Sequence, residues 1–145
     1  MATTETRPHV LVINDVPVLL EIMRELLEEE GYRVSLDTFS DMDLGKRFAD
    51  VKRLKPDVLV LDLIVGGEVL GWQLLQMVKL DRATARIPVV ICTAAARQAE
   101  ELGPHLRTLG VAVILKPFDI DALVGAVAQA LAGGPETGLS PASPA

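Results

Sequence analysis

The chain has 145 residues, 50% hydrophobic and 23% charged, a balance that builds one globular domain and excludes a disordered or fibrous protein. Lys and Arg number 14 against 20 Asp and Glu, for a net charge of -6, and no basic run offers a stripe to a phosphate backbone, so direct nucleic-acid binding is not expected. The most apolar windows, 87–96 and 122–134, are too short to cross a bilayer; the opening MATTETRP lacks an apolar signal core, and the one cysteine, Cys92, cannot form an internal disulfide, so a cytoplasmic location is expected.

The apolar, β-branched run VLVIN, Val10 to Asn14, predicts a first strand. Leu19, Ile22, Met23, Leu26 and Leu27 then recur at helical spacing with charged residues between them, predicting a helix that Gly31 stops. A second strand is predicted over Val34 to Leu36, and a second helix on Leu44, Phe48 and Val51 with Ser40 as its N-cap. VLVLD, Val58 to Asp62, gives the third strand; Gly71, Leu74, Leu75 and Val78 give the third helix. VVIC, Val89 to Cys92, is the fourth strand, followed by a helix from Ala94 to Leu102. Gly103-Pro104 should kink or divide that helix, because proline lacks the backbone donor. VAVIL, Val111 to Leu115, is the fifth strand. Ile120, Leu123, Val124, Val127 and Leu131 mark the last helix, capped by Asp119 and ended by Gly133-Gly134. Residues 133–145, GGPETGLSPASPA, hold too little apolar surface to offset their ordering entropy and are expected to form a flexible tail after a domain over 8–132.

At least four of the strands are apolar at nearly every position, as strands buried on both faces are. Alternating with helices, they predict an α/β fold: a flavodoxin-like, doubly wound (βα)5 unit whose five-stranded parallel sheet has the order 2-1-3-4-5. Such a fold gathers at one sheet edge the residues that end its strands: Asn14 and Asp15 after the first, Asp62 after the third, Thr93 after the fourth and Lys116 after the fifth. The set makes chemical sense together. Two carboxylates with an amide and a peptide carbonyl offer hard oxygen ligands to Mg²⁺. Asp62 is a carboxylate nucleophile that could form an acyl phosphate if Mg²⁺ and Lys116 neutralised the incoming group. The Thr93 hydroxyl could donate to a phosphoryl oxygen and draw its loop inward.

The strings VLVIND, VLVLDL, VVICTA and ILKPF, in this order across residues 8 to 132, resemble the four motifs of response-regulator receiver domains, the CheY-like superfamily. The resemblance implies that Asp62 is the phosphoacceptor, Thr93 the switch hydroxyl and Lys116 the phosphate-binding cation. It implies Mg²⁺ held by Asp15, Asp62 and the Ile64 backbone carbonyl, with Asn14 acting through a water. The implied partners are a sensor histidine kinase or phosphotransfer protein as donor, and a downstream protein docking on the face of helix 4, strand 5 and helix 5. A homodimer is also open to such a domain. It would be no enzyme beyond its own phosphorylation and dephosphorylation.

Three positions depart from the family pattern. Asn14 is neutral where the family places an acid, Val113 stands where it places an aromatic, and LIVGGEVLG after Asp62 lacks its proline and runs a residue long, so Gly66-Gly67 is expected to form a looser rim. These departures keep open an alternative, a phosphorylation-independent interaction module of the same fold. A nucleotide- or flavin-binding enzyme is less compatible, since NDVPVLL stands where a glycine-rich phosphate loop would follow strand 1. Trp72 reads as packing at a helix start or as a partner anchor. His9 and His105 carry no catalytic pattern.

Overall fold

Strands and helices alternate in the computed structural model, which describes residues 7–39, 43–65, 67–94, 96–115 and 120–132. Their order is β1 (His9–Ile13), α1 (Pro17–Glu29), β2 (Arg33–Asp37), α2 (Leu44–Leu54), β3 (Val58–Leu61), α3 (Leu70–Leu80), β4 (Val89–Thr93), α4 (Ala96–Glu101), α5 (Gly103–Thr108), β5 (Ala112–Leu115) and α6 (Ile120–Leu131). The strands form one parallel sheet in the order β2-β1-β3-β4-β5, the flavodoxin-like arrangement expected. None of the helices among the described residues is long and apolar enough to cross a membrane.

Strand side chains alternate between two cores. Val10 and Val12 of β1, Val58 and Val60 of β3, and Val90 and Cys92 of β4 pack under Leu20, Met23 and Leu27 of α1 and Leu123 and Val127 of α6. Their neighbours Leu11, Ile13, Leu59, Leu61, Val89 and Ile91 face the other way, toward Val51 of α2, Leu74, Leu75 and Val78 of α3, Ala99 of α4 and Leu106 of α5. Only three strands, not four, are fully buried: β2 and β5 are the sheet's edges, half-buried along their length, with Leu115 exposed. An edge strand has one neighbour, so helices shield it less.

The helix boundaries have local causes. Gly31, at φ +95°, ends α1: its N–H donates to the Glu28 carbonyl at 2.9 Å and the Tyr32 N–H to that of Leu27 at 3.3 Å, a Schellman closure. On α1 the buried stripe is Leu20, Met23 and Leu27, and the expected core residue Ile22 is exposed. The N-cap of α2 is Asp43, whose side chain accepts from the Lys46 N–H at 3.2 Å. It takes the place expected for Ser40, which lies outside the described residues. The fourth helix is divided at Leu102, just ahead of Gly103, with Pro104 in the first turn of α5, where a missing N–H costs nothing. Asp119 and residues 133–145 also lie outside the described residues.

Candidate functional site

The sheet's direction of winding reverses at β1 and β3, and a hollow of about 390 Å³ opens beyond the carboxyl ends of β1, β3 and β4. Asp15, Asp62, Ile64, Thr93 and Gln98 are among its walls. Asp62 follows β3 directly, and its N–H bonds the Ile13 carbonyl at 3.4 Å, carrying the β1–β3 ladder one residue past the strand. Its side chain is nearly buried. A carboxylate in that position needs donors. The Ile64 N–H gives one to Oδ1 at 3.1 Å and the Asn14 amide gives another to Oδ2 at 3.3 Å.

Asn14 is buried just past β1, with its own N–H on the Asp37 carbonyl at 3.1 Å. Its side-chain oxygen accepts from the Val16 N–H at 2.8 Å, which turns the NH₂ group toward Asp62. The NH₂ group is therefore the face that Asn14 presents to Asp62. Asp15 stands exposed at the rim, and Thr93, fully buried, is the last residue of β4 and pairs with Leu115 of β5. Lys116 follows β5 and lies outside the described residues. The structure therefore brings Asn14, Asp15, Asp62, Ile64 and Thr93 to one place.

Other residues hold this arrangement in ways that sequence patterns did not reveal. Gly71 reads as an ordinary core position of α3, yet a Cβ there would lie 1.7 Å from the Asp62 carbonyl oxygen. Its absence lets the first turn of α3 sit on the strand end, where the Gly71 and Trp72 N–H groups both donate to the Leu63 carbonyl at 3.0 and 3.3 Å. The loop after Asp62 is tied at its base, since Val65 and Glu68 exchange two backbone hydrogen bonds of 2.9 and 3.0 Å and Val65 is fully buried. The rim expected of Gly66-Gly67 lies beyond this tie, and Gly66 lies outside the described residues.

On the β2 side, Arg47 of α2 is buried with its Nε 2.9 Å from Asp37 Oδ2, close enough for an ion pair though not aligned as a hydrogen bond. Its guanidinium also covers the ring of Phe39 at 5.5 Å. Phe39 holds the left-handed φ of +61°, a conformation disfavoured without Cβ-free backbone, and its N–H is tied to Asp37 Oδ1 at 2.9 Å. Asp37 thus joins this cluster to the backbone of Asn14. Nothing but the placement of an arginine on the apolar stripe of α2 signals it in the sequence.

Among the described residues no cluster of three or more Asp, Glu, His or Cys forms. The acids of the hollow are the two carboxylates Asp15 and Asp62. Two carboxylates and a peptide carbonyl suit Mg²⁺, which keeps several of its waters and takes few protein ligands.

Residues 10–128 match the response regulator receiver domain family. The chain is 29% identical over 120 residues to the DNA-binding dual master transcriptional regulator RpaA of Synechocystis sp., covering 83% of this chain and 47% of RpaA. It is 26% identical over 125 residues to Protein PilH of Pseudomonas aeruginosa, covering 86% of this chain and 98% of PilH. The chain thus spans 47% of the length of RpaA and a similar share of most of the other curated relatives it matches. Its fold is shared with the receiver domain of a P. aeruginosa sensor histidine kinase, solved with a magnesium ion coordinated in the active site cleft: TM-score 0.72 and 20% identity over 88% of this chain and 99% of that one. Sequence match, sheet order and strand-end residues agree, and the chain belongs to the response regulator receiver domain family, the signalling module of two-component systems rather than a classical enzyme.

Proposed function

We propose that this receiver is a phosphoryl relay with Asp62 as its acceptor, supplied by a sensor histidine kinase or a phosphotransfer protein. The observation that carries the reading is the state of Asp62: a nearly buried carboxylate at the end of a central strand, oriented by the Ile64 N–H and the Asn14 amide toward a hollow that also holds Asp15 and Thr93. In-line attack by an Asp62 oxygen forms an acyl phosphate as the donor's P–N bond breaks, and the bonding pair returns to the imidazole. Asp15, Asp62 and the Ile64 carbonyl would hold Mg²⁺, which when bound neutralises charge on the phosphoryl oxygens. Lys116 is the proposed second cation. Thr93, at the mouth of β4, is placed to donate its hydroxyl to the new phosphoryl group and so to pass its arrival to the segment that follows.

The output face expected of helix 4, strand 5 and helix 5 corresponds to α4 with α5, β5 and α6. A downstream protein docking there completes the proposed relay, and residues 8–132 form its domain with 133–145 as a tail. Any catalysis is limited to the domain's own phosphorylation and dephosphorylation. The test is intact-protein mass after incubation with Mg²⁺ and a small-molecule phosphodonor. The wild type should gain one phosphoryl group, and Asp62→Asn should gain none while keeping its fold. Equal gain in the variant would assign the site to another residue, and no gain from phosphodonors or kinases would favour the phosphorylation-independent module.

A further inference from the structure

A second hollow, of about 220 Å³, shares no residue with the Asp62 site. It lies between α3, which contributes Trp72, Gln76, Lys79 and Leu80, and α5, which contributes His105 and Thr108. Contacts shape its walls. The Trp72 and His105 rings meet edge to face, with centroids 6.1 Å apart and planes at 68°. Lys79 Nζ donates to the carbonyls of Ala85 and Ile87 at 3.2 and 2.8 Å, which pins the ammonium beside the hollow with one proton left to give. At the rim Leu80 is 85% exposed, an apolar side chain with little to cover it.

Three features limit the occupant. The hollow is smaller than the roughly 300–1,000 Å³ of small-molecule pockets, and its size suits one large side chain. Its polar groups are an ammonium, an imidazole, an amide and a hydroxyl, and no carboxylate lines it among the described residues, although the chain carries a net charge of -6. Among the described residues no Phe, Tyr or Trp ring is exposed, so the described surface of a second copy offers no such ring to insert. We propose that this hollow is a docking site for a partner protein that presents an aromatic side chain flanked by acidic residues, the ring seated against Trp72 beside Leu80 and a carboxylate meeting Lys79. This surface pairs α3 with α5, so it overlaps the expected output face at α5 alone; it does not depend on phosphorylation of Asp62.

Trp72 is the chain's only tryptophan, so its emission reads the hollow directly. Three capped peptides serve as probes at millimolar concentration: acetyl-Glu-Phe-Glu-amide, acetyl-Lys-Phe-Lys-amide and acetyl-Glu-Ala-Glu-amide. The first should shift Trp72 emission saturably, about tenfold more tightly than the second, and the third should not bind. Leu80→Asp and Gln76→Glu, both at exposed positions, should each weaken the first peptide by about tenfold with unchanged circular dichroism. Absent binding, or equal binding of the lysine peptide, overturns the proposal. So does 3-phenylpropionate binding as tightly as the peptide, which would make the ligand a free aromatic acid. A dimer in sedimentation that Leu80→Asp abolishes would assign the hollow to a second copy and overturn it too.

Discussion

Replacing Gly71 by alanine should destabilise the protein, against the sign that helix propensity alone assigns. In an unconstrained helix interior alanine is favoured over glycine by about 1 kcal/mol. Here the new Cβ would sit 1.7 Å from the Asp62 carbonyl oxygen, 2.7 Å from its carbonyl carbon and 2.9 Å from that of Leu63. These are backbone atoms continuing a central strand, and no rotamer moves them aside. Overpacking of this kind costs about 1–3 kcal/mol. Lifting α3 to make room also lengthens the bonds of the Gly71 and Trp72 N–H groups to the Leu63 carbonyl, each worth about 1 kcal/mol. After allowance for propensity the net loss is about 2–4 kcal/mol. Urea unfolding measures it, with Gly125→Ala as the control: Gly125 is an exposed position of α6 with nothing within 4 Å of its added Cβ, and that change should stabilise by about 0.5–1 kcal/mol. Because the displaced backbone belongs to Asp62, phosphorylation of Gly71→Ala should also slow under conditions where the variant is fully folded. A Gly71→Ala midpoint equal to or above wild type would refute the packing argument.

Three further outcomes follow from the geometry. Asn14→Asp replaces the donor facing Asp62 by a carboxylate and should tighten Mg²⁺ binding, read by calorimetric titration; weaker or equal affinity would place residue 14 outside the metal's reach. His9 is nearly buried, its Nε2 2.7 Å from Ser35 Oγ, and burial, reinforced by the charge of Arg33 and opposed by Asp57, lowers its pKa from 6.5. The folded state therefore favours neutral imidazole and the unfolded chain binds the proton more readily, so stability should fall as pH drops below about 6.5; a His9→Gln variant with an unchanged pH slope would contradict this. Arg47→Ala strands the Asp37 carboxylate beside Phe39 and should cost about 3–5 kcal/mol in urea unfolding, whereas a loss within 0.5 kcal/mol, the usual range of a surface substitution, would show the pair to be marginal.

The strands were legible because β1, β3 and β4 are buried on both faces, which forces apolar residues at every position and leaves little ambiguity. The strand-end residues followed from topology, since a 2-1-3-4-5 order gathers those ends at one edge. Legibility failed where tertiary neighbours decide. Ile22 fits the helical stripe of α1 as well as Leu20 does, but the stripe's centre is set by where β1 and α6 lie. The 2-1-3-4-5 order already put β5 at the edge, but its unbroken apolar run reads as buried on both faces, since no local pattern records how many neighbours a strand has. Asn14 lies beside Asp62 as the topology implies, but residue type cannot tell which end of its amide the Val16 N–H selects. Arg47, Phe39 and Thr84, whose buried hydroxyl donates to the Val78 carbonyl at 2.7 Å, belong to contacts between elements and have no signature along the chain.

The break at Leu102 also bears on how the fold opens. α4 and α5 have six residues each, far below the roughly 12–15 at which a helix persists alone. Each is held by one buried side chain, Ala99 or Leu106, whereas α1 buries three. This stretch should therefore have the lowest opening free energy of the helical layer, and its amides should exchange with solvent deuterium well before those of α1 or the central strands. It begins just past Thr93, so the part of the molecule nearest the floor of the Asp62 hollow on that side is also the part expected to open without unfolding the rest.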